Sequence, residues 1–442
     1  MVKVLILAYD FPPYVSVGGL RPYSWLKYFH EFDIYPIIVT RQWNNLYKNG
    51  LDYVAPGYSD STVWEENETG TTLRTPYQPN LSNVLLLKYG TERFQFIRKI
   101  ISAYYEFAQY IFFVGPKSAL YHEAKKYMQE HKVDCILATG DPYVLFRYAA
   151  ALSEEFNVPW IADYRDPWSQ DSKVQQNPIL KAWNSFLESR ILKTVKAVTT
   201  VSTFFEKKIT ALVQNKPFYI ISNGFDPDAS TAASLVPQSK TTLQIAFVGT
   251  ILKWHPIEVI FQSISEFILS NPDAKLVVNF YGINMQEELQ ALIIDKYAPI
   301  AHCISIHPKM ENADLQKELA KNNVMLLFNY YSYMGTKIYD YIGIRRKIIL
   351  CFENDPVADD LKKKYYNLED ASLHAPQLQT ELINETNSGV VVKDGPHLTS
   401  LLGELYTELR HTGTIRCDSR NVENYSRKIQ VQHLARLIKD IL

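Results

Sequence analysis

Short apolar runs, most of them separated by stretches of helical period, set the rhythm of this chain. In the first half the runs are VKVLILA (2–8), IYPIIVT (34–40), VDCILATG (133–140), VPWIAD (158–163), AVTTVS (197–202) and FYIIS (218–222). They are nearly continuous rather than alternating, the pattern of parallel strands buried on both faces. Helices are expected over Leu20–Phe32 and over 143–156. Residues 44–85 are polar, rich in Gly, Pro, Asn and Thr, and show no period, so they read as an irregular excursion. SNGFDPD (222–228) is turn chemistry, and the polar stretch to Lys240 reads as a linker. The pattern then restarts with LQIAFVGT (243–250), AKLVVNFYG (274–282), HCISIHP (302–308), NVMLLFN (323–329), RKIILCF (346–352) and SGVVVKD (388–394). Helical stretches at 257–270, 285–297 and 312–321 lie between the earlier of these.

Strands alternating with helices call for parallel sheets with right-handed crossovers. A chain of 442 residues is too long for one core. The fold class expected is therefore α/β, with two doubly wound, Rossmann-like domains facing each other across a cleft. The bounds read as 1–222, 223–424 and a terminal helix at 425–442. That helix carries Ile429, Leu434, Leu437, Ile438 and Ile441 near helical spacing and needs a surface on which to bury them.

Composition narrows the function classes. A hydrophobic content of 47% with 21% charge is ordinary for a globular protein, and a net charge of -1 argues against a nucleic-acid partner held by bulk charge. Cys135, Cys303, Cys351 and Cys417 are far apart and fit neither a zinc site nor a disulfide framework, and the first three, in or beside apolar runs, suit buried thiols in a reducing compartment. The opening MVKVLILAYDFPP reads as a strand rather than a signal peptide. No run reaches the roughly 18–20 apolar residues that span a bilayer. The expected location is cytoplasmic, with a peripheral place on the inner face of the membrane left open. Thirty tyrosines within an aromatic content of 13% suit either core packing or carbohydrate contact.

Candidate chemistry gathers where such sheets bind ligands, in the loops at the carboxyl ends of strands. A helix opening at Gly335-Thr336-Lys337 offers free backbone N–H groups and a lysine to a phosphate. Asp340 follows Lys337 at i+3 and faces the same way, placed to grip sugar hydroxyls rather than a diphosphate that it would repel. FVGTILKWH (247–255) ends a strand on Gly249 and brings Lys253 and His255 within reach of diphosphate oxygens. FPPYVSVGGLR (11–21) puts Gly18 and Gly19 at a helix start, without the spacing of the GxGxxG fingerprint. ADYRDPW (162–168) sets Asp163, Arg165 and Asp166 straight after a buried strand. They are the catalytic candidates, with a surface Arg165–Asp166 network capped by Trp168 as the plain alternative. No set of residues has metal-ligand spacing, and there is no Walker A sequence and no GxSxG elbow.

Taken in order, these motifs resemble a GT-B-fold glycosyltransferase of the large retaining family-4 group. PPYVSVGGLRPYSWLKYFHEFDIYPIIVT resembles the family's opening loop, helix and second strand, and ADYRDPW is similar to a subgroup with DxRDPW at this place. SNGFD resembles the turn at the domain junction, and FVGT and GTKIYDYIGIRRKIIL resemble the two donor-site segments. The resemblance implies that the N-terminal domain takes a saccharide or lipid-linked acceptor and that the C-terminal domain takes a nucleotide-diphosphate sugar. Gly18 and Gly19 would then contact the donor across the cleft. Gly249, Thr250 and Lys253 would meet the diphosphate with Gly335, Thr336 and Lys337, Asp340 would hold the ribose, and His307-Pro308 would flank the base. The terminal helix would cross back to the first domain, and no cofactor or metal would be needed, since cationic side chains and helix dipoles offset the leaving charge. The implied role is in surface polysaccharide or glycoconjugate synthesis.

The chain departs from the family at three places. Ser332 stands where an acid eight positions before Asp340 is usual, Thr250-Ile251 replace an arginine, and Arg165 takes roughly the place of a histidine. A nucleotide-sugar epimerase of similar fold and a non-catalytic sugar-binding relative are the alternative readings. RFQFIRKIISAYYEFAQYIFFVG (93–115) mixes aromatic, aliphatic and basic residues, as either a buried or subunit-contact helix or a membrane-surface patch would.

Overall fold

The apolar runs of the first half become the strands β1 (Val2–Leu7), β2 (Ile34–Arg41), β3 (Val63–Asn67), β4 (Gly70–Thr75), β5 (Cys135–Gly140), β6 (Trp160–Tyr164), β7 (Ala197–Thr200) and β8 (Phe218–Ile220). The structure, a computed structural model, describes residues 1–14, 16–44, 51–170, 177–366 and 377–442. Contacts divide the chain into one unit of Met1–Asn223 with Lys428–Leu442 and a second of Gly224–Arg427.

In the first unit the strand order is β3-β4-β2-β1-β5-β6-β7-β8, parallel except for the β3–β4 hairpin at one edge. The chain works outward from β1 to β2 and β4, then returns to β5 on the other side of β1. The order therefore reverses between β1 and β5, and the loops leaving those two strands diverge, which opens a crevice above the sheet. The helix α1 (Val17–Tyr28) starts at Val17 rather than Leu20, because Ser16 caps it by accepting the N–H of Gly18.

The expectation of an irregular excursion over 44–85 is corrected by β3, β4 and the helix α2 (Leu81–Tyr89). GTTLRT of β4 carries no apolar run, yet it is almost wholly buried beside β2. Threonine is β-branched and suits a strand, and the parallel ladder satisfies its backbone, so the strand forms without a hydrophobic signature.

The second unit holds β9 (Leu243–Val248), β10 (Leu276–Tyr281), β11 (Ile304–His307), β12 (Val324–Phe328), β13 (Lys347–Cys351) and β14 (Gly389–Val392). All pair in parallel in the order β11-β10-β9-β12-β13-β14, and here the reversal falls between β9 and β12. Within the stretch read as a linker lies a helix, Pro227–Ser234, capped by Asp226 with Pro227 in its first turn. The chain's two crossings between the units lie side by side, since Phe225 pairs with Ser426 in a parallel bridge. Phe225 also packs on Gly343, where an added Cβ would stand 2.7 Å from its ring.

The terminal helix Arg427–Asp440 buries Val431, Leu434, Ala435, Leu437 and Ile438 in a core with Val4, Ile6, Trp25 and Leu137 of the first unit. Three of the four thiols are buried and the fourth, Cys417, is half-buried. Burial raises the pKa of every one, that of Cys135 up to about 12.

Leu434 has no exposed surface in that core. Leu434→Ala is expected to lower the unfolding free energy by about 2–5 kcal/mol, read from urea melts. A variant as stable as the parent would show that the helix does not belong to the first unit's core.

Candidate functional site

Both units present their chemistry at the strand-order reversal. In the first unit the loop after β1 carries Asp10, which accepts a hydrogen bond from Ser16 Oγ at 2.9 Å, while the same hydroxyl accepts the Gly18 N–H at 3.0 Å. Arg165, in the loop after β6, donates to the carbonyls of Gly140 at 2.7 Å and Asp141 at 2.6 Å. Its Nη1 lies so close over the helix start that a Cβ on Gly18 would stand 1.9 Å from it and 2.8 Å from Asp10 Oδ2. A Cβ there would push the ends of both side chains aside, so the structure brings Gly18, Asp10 and Arg165 into one cluster. Gly19 is buried against the backbone of Asp10 and Phe11. Burial raises the Asp10 carboxyl above the usual range, with the Ser16 hydrogen bond and Arg165 opposing. Sequence reading passed over Asp10, although it carries the same signal as Asp163, an acid at a strand's carboxyl end.

Asp163 does not belong with the reacting groups. It has no exposed surface, and its carboxylate accepts from Arg21 Nη2 at 2.7 Å, Arg21 Nε at 3.0 Å, Thr139 Oγ1 at 2.9 Å and Thr199 Oγ1 at 2.6 Å. Both oxygens are occupied from three sides, so the assignment as a catalytic residue is corrected to a positioning one. Asp166 is exposed, and its carbonyl accepts from Tyr143, whose ring stacks on Trp168 at 5.1 Å. Trp168 thus braces the loop through Tyr143, and Arg165 is held by backbone carbonyls.

In the second unit the loops after β9 and β12 flank the reversal. Gly249 takes φ +112° and Gly335 φ +63°, with no heavy atom within 4 Å of a Cβ built on either. Both backbones are therefore exposed to an approaching ligand. Thr250 and Lys253 are exposed, and Lys253 makes no ion pair among the described residues. Asn284 holds this loop by accepting the Ile251 N–H at 2.7 Å. Across the reversal, Tyr341 of the Lys337–Ile344 helix accepts the Val248 N–H at 3.0 Å, which locks that helix to the end of β9. Thr336 caps the helix without a side-chain hydrogen bond, leaving the first-turn N–H groups uncapped by it. Lys337 Nζ lies 3.6 Å and Arg427 Nη2 3.9 Å from the Asp340 carboxylate. Arg427 was not among the sequence candidates, and being remote in sequence it left no local signal. Asp340 and Arg427 also line a recess of about 10 Å³, room for about one water.

One expectation changes here, that for His255, and two further positions gain a structural description. His255 is buried, accepts the Leu252 N–H at Nδ1 and stacks on Phe328 at 4.4 Å, so it shapes the loop rather than meeting a phosphate. Ser332 is 1% exposed, so the position where an acid was expected faces the interior. His307 ends the edge strand β11, bonded to Asn279 Oδ1 at 2.9 Å and stacked on Tyr281 at 4.5 Å, so its ring is already oriented. A cavity of about 730 Å³ opens beside Lys253, but Glu258, Glu266, Glu288 and Asp355 share its largely apolar wall, which does not suit a diphosphate. Among the described residues no group of three or more His, Cys, Asp or Glu is arranged to hold a metal ion.

Comparison with known proteins agrees with this architecture. Residues 88–229 match the family model of Glycosyltransferase Family 4. Sucrose-phosphate synthase from Thermosynechococcus elongatus superposes with a TM-score of 0.61 at 13% identity, covering 100% of this chain and 99% of that one. The trehalose-6-phosphate protein from E. coli bound with UDP-2-fluoro glucose gives 0.60 at 9% identity, with 100% and 99% covered. HepE from Anabaena in complex with UDP gives 0.57 at 10% identity, with 99% and 100% covered. No curated protein sequence matches. The chain has the GT-B fold, and the resemblance to family-4 glycosyltransferases read from its motifs is borne out.

Burial holds the His255 imidazole down at about 3 against an ordinary value of 6.5. Between those two values the unfolded chain binds the proton that the folded chain refuses, so stability rises with pH across that window. His255→Asn keeps an acceptor for the Leu252 N–H and does not titrate. It is expected to flatten the slope by roughly 2–3 kcal/mol between about pH 4 and about pH 7 in urea melts. An unchanged slope would show that the histidine is protonated in the fold.

Proposed function

We propose that this chain transfers a sugar from a nucleotide-diphosphate sugar to a saccharide or lipid-linked acceptor, with retention at the anomeric carbon, in polysaccharide or glycoconjugate synthesis. The observation that carries this reading is the convergence at the β9/β12 reversal. Lys253, which makes no ion pair among the described residues, two glycines with open φ > 0 backbones, and a helix start with Lys337 and Asp340 meet there. Two structures of the same fold hold UDP or a UDP sugar, which supports a donor of that class here.

In this reading Lys253, Lys337 and the N–H groups after Gly335 and Thr336 take the diphosphate. They stabilise the charge that grows on it as the glycosidic bond breaks, without a metal. Asp340 accepts hydrogen bonds from the ribose, with Lys337 and Arg427 close beside its carboxylate. His307 flanks the base. In the first unit Arg165, with Asp10 and the Gly18-Gly19 turn, orients sugar or acceptor hydroxyls. Asp163 holds that cluster's floor in place, and Asp166 sits exposed at the mouth of the loop.

A thermal-shift screen of nucleotide-diphosphate sugars tests the donor assignment, since a ligand that binds the native state raises the melting temperature. UDP-glucose or another member of the class is expected to raise it. Lys253→Ala and Asp340→Asn should each weaken binding about tenfold or more, the loss typical of one charge-assisted contact. No shift with any donor would overturn the assignment. Donor turnover that is lost in both variants would exclude a binding-only protein, and sugar interconversion without acceptor would indicate an epimerase.

A further inference from the structure

We propose that the hairpin of α2 and the helix α3 (Gln95–Phe112) docks this protein on an anionic phospholipid surface. This docking site is independent of the donor site. The inference begins from an inversion. Phe96, Ile97, Ile100, Tyr104 and Ile111 fall on one face of α3 at helical spacing, with Gln95, Arg98, Ser102 and Glu106 on the other. In a globular protein the apolar face would be the buried one. Here α2 covers the polar side, where Ser82 Oγ meets Ser102 Oγ at 3.0 Å and the Arg98 carbonyl at 3.2 Å. The apolar stripe is left outside, with Phe96 76%, Tyr104 60% and Ile100 55% exposed.

The patch is not confined to one helix. Leu81, Val84, Leu87 and Tyr89 of α2 are exposed as well, and Ser82 is the one buried side chain of that helix. At its far end the stripe continues through Phe107, which meets Trp183 at 5.4 Å, to the exposed Phe186 of the helix Pro178–Ile191. A contiguous exposed apolar surface of this kind marks an interaction site.

Charge selects the occupant. Residues 81–101 carry Lys88, Arg93, Arg98 and Lys99 against the single acid Glu92, in a chain whose total charge is -1. Arg98 is spent on closing the turn, donating to Thr91 O at 2.9 Å, whereas Lys88, Arg93 and Lys99 are exposed beside the stripe. Apolar and aromatic side chains flanked by cations complement an anionic headgroup layer over acyl chains. A second copy of this chain is a poorer match, because a two-fold interface would set these cations against themselves. Among the described residues no helix is long and apolar enough to cross a membrane, so the contact is peripheral. Phe113 itself is not part of it. That ring stacks on Tyr121 at 4.2 Å and lies under Arg147, so it belongs to the unit's interior packing.

Sedimentation of the full chain with vesicles of phosphatidylcholine, alone or mixed with phosphatidylglycerol, tests the proposal. The parent is expected to pellet with the mixed vesicles at low salt and to be released as salt rises. The pair Phe96→Glu/Ile100→Glu and the triple Lys88→Glu/Arg93→Glu/Lys99→Glu should each lower partitioning by about tenfold or more. Their circular dichroism should match the parent's, since the altered side chains are exposed. Equal pelleting of parent and variants, or a parent that does not pellet, overturns the proposal. So does a parent dimer that Phe96→Glu/Ile100→Glu converts to monomer without any vesicle binding, which would make the patch a self-interface.

Discussion

A carboxylate with no access to water has to be answered by the protein, and Asp163 is answered from every direction. Arg21 of α1 forks onto it, Thr139 reaches it from β5 and Thr199 from β7. The remaining arm of the same guanidinium donates to the carbonyls of Ile221 and Ser222, just past β8. One buried charge thus fastens the helix after the first strand, three neighbouring strand ends and the segment that leaves the sheet. Loss of either partner from such a pair costs far more than the pair itself contributes, because the remaining charge is stranded. The loops above the sheet inherit their positions from this anchor.

The anchor also explains how labour is divided in ADYRDPW. Asp163 lies within β6, which ends at Tyr164, whereas Arg165 is the first residue past the strand. Asp163 is consumed inside the sheet, and Arg165 emerges above it, where Gly140 and Asp141 hold it over Gly18. The second unit uses a lighter device for the same purpose. Tyr341 gives one hydroxyl to the end of β9, and that contact keeps the Lys337–Ile344 helix beside the glycine loop.

Most strands were legible because a strand buried on both faces is apolar over its buried length, as VMLLF and the VLIL of β1 are. What escaped had a different physical basis. The strand β4 is buried yet rich in threonine, so hydrophobicity did not announce it. The fate of a polar group was the other blind spot. Asp163, His255 and Ser332 look the same in sequence whether they face a ligand or the interior, and only burial and partners separate them. Local spacing did place Lys337 and Asp340 on one face, because an i+3 relation is fixed by the helix itself. Arg427 lies far along the chain from Asp340, and no local rule connects them.

The thiols have a practical meaning of their own. Nucleophilic attack requires thiolate, and every cysteine here is held toward the protonated form by its surroundings, three of them wholly inside. The native chain is therefore close to silent toward maleimide-type reagents at neutral pH. A cysteine introduced on an open helix would react almost alone, so a single spin or fluorescent label can report the polarity around one chosen turn without removal of any native residue.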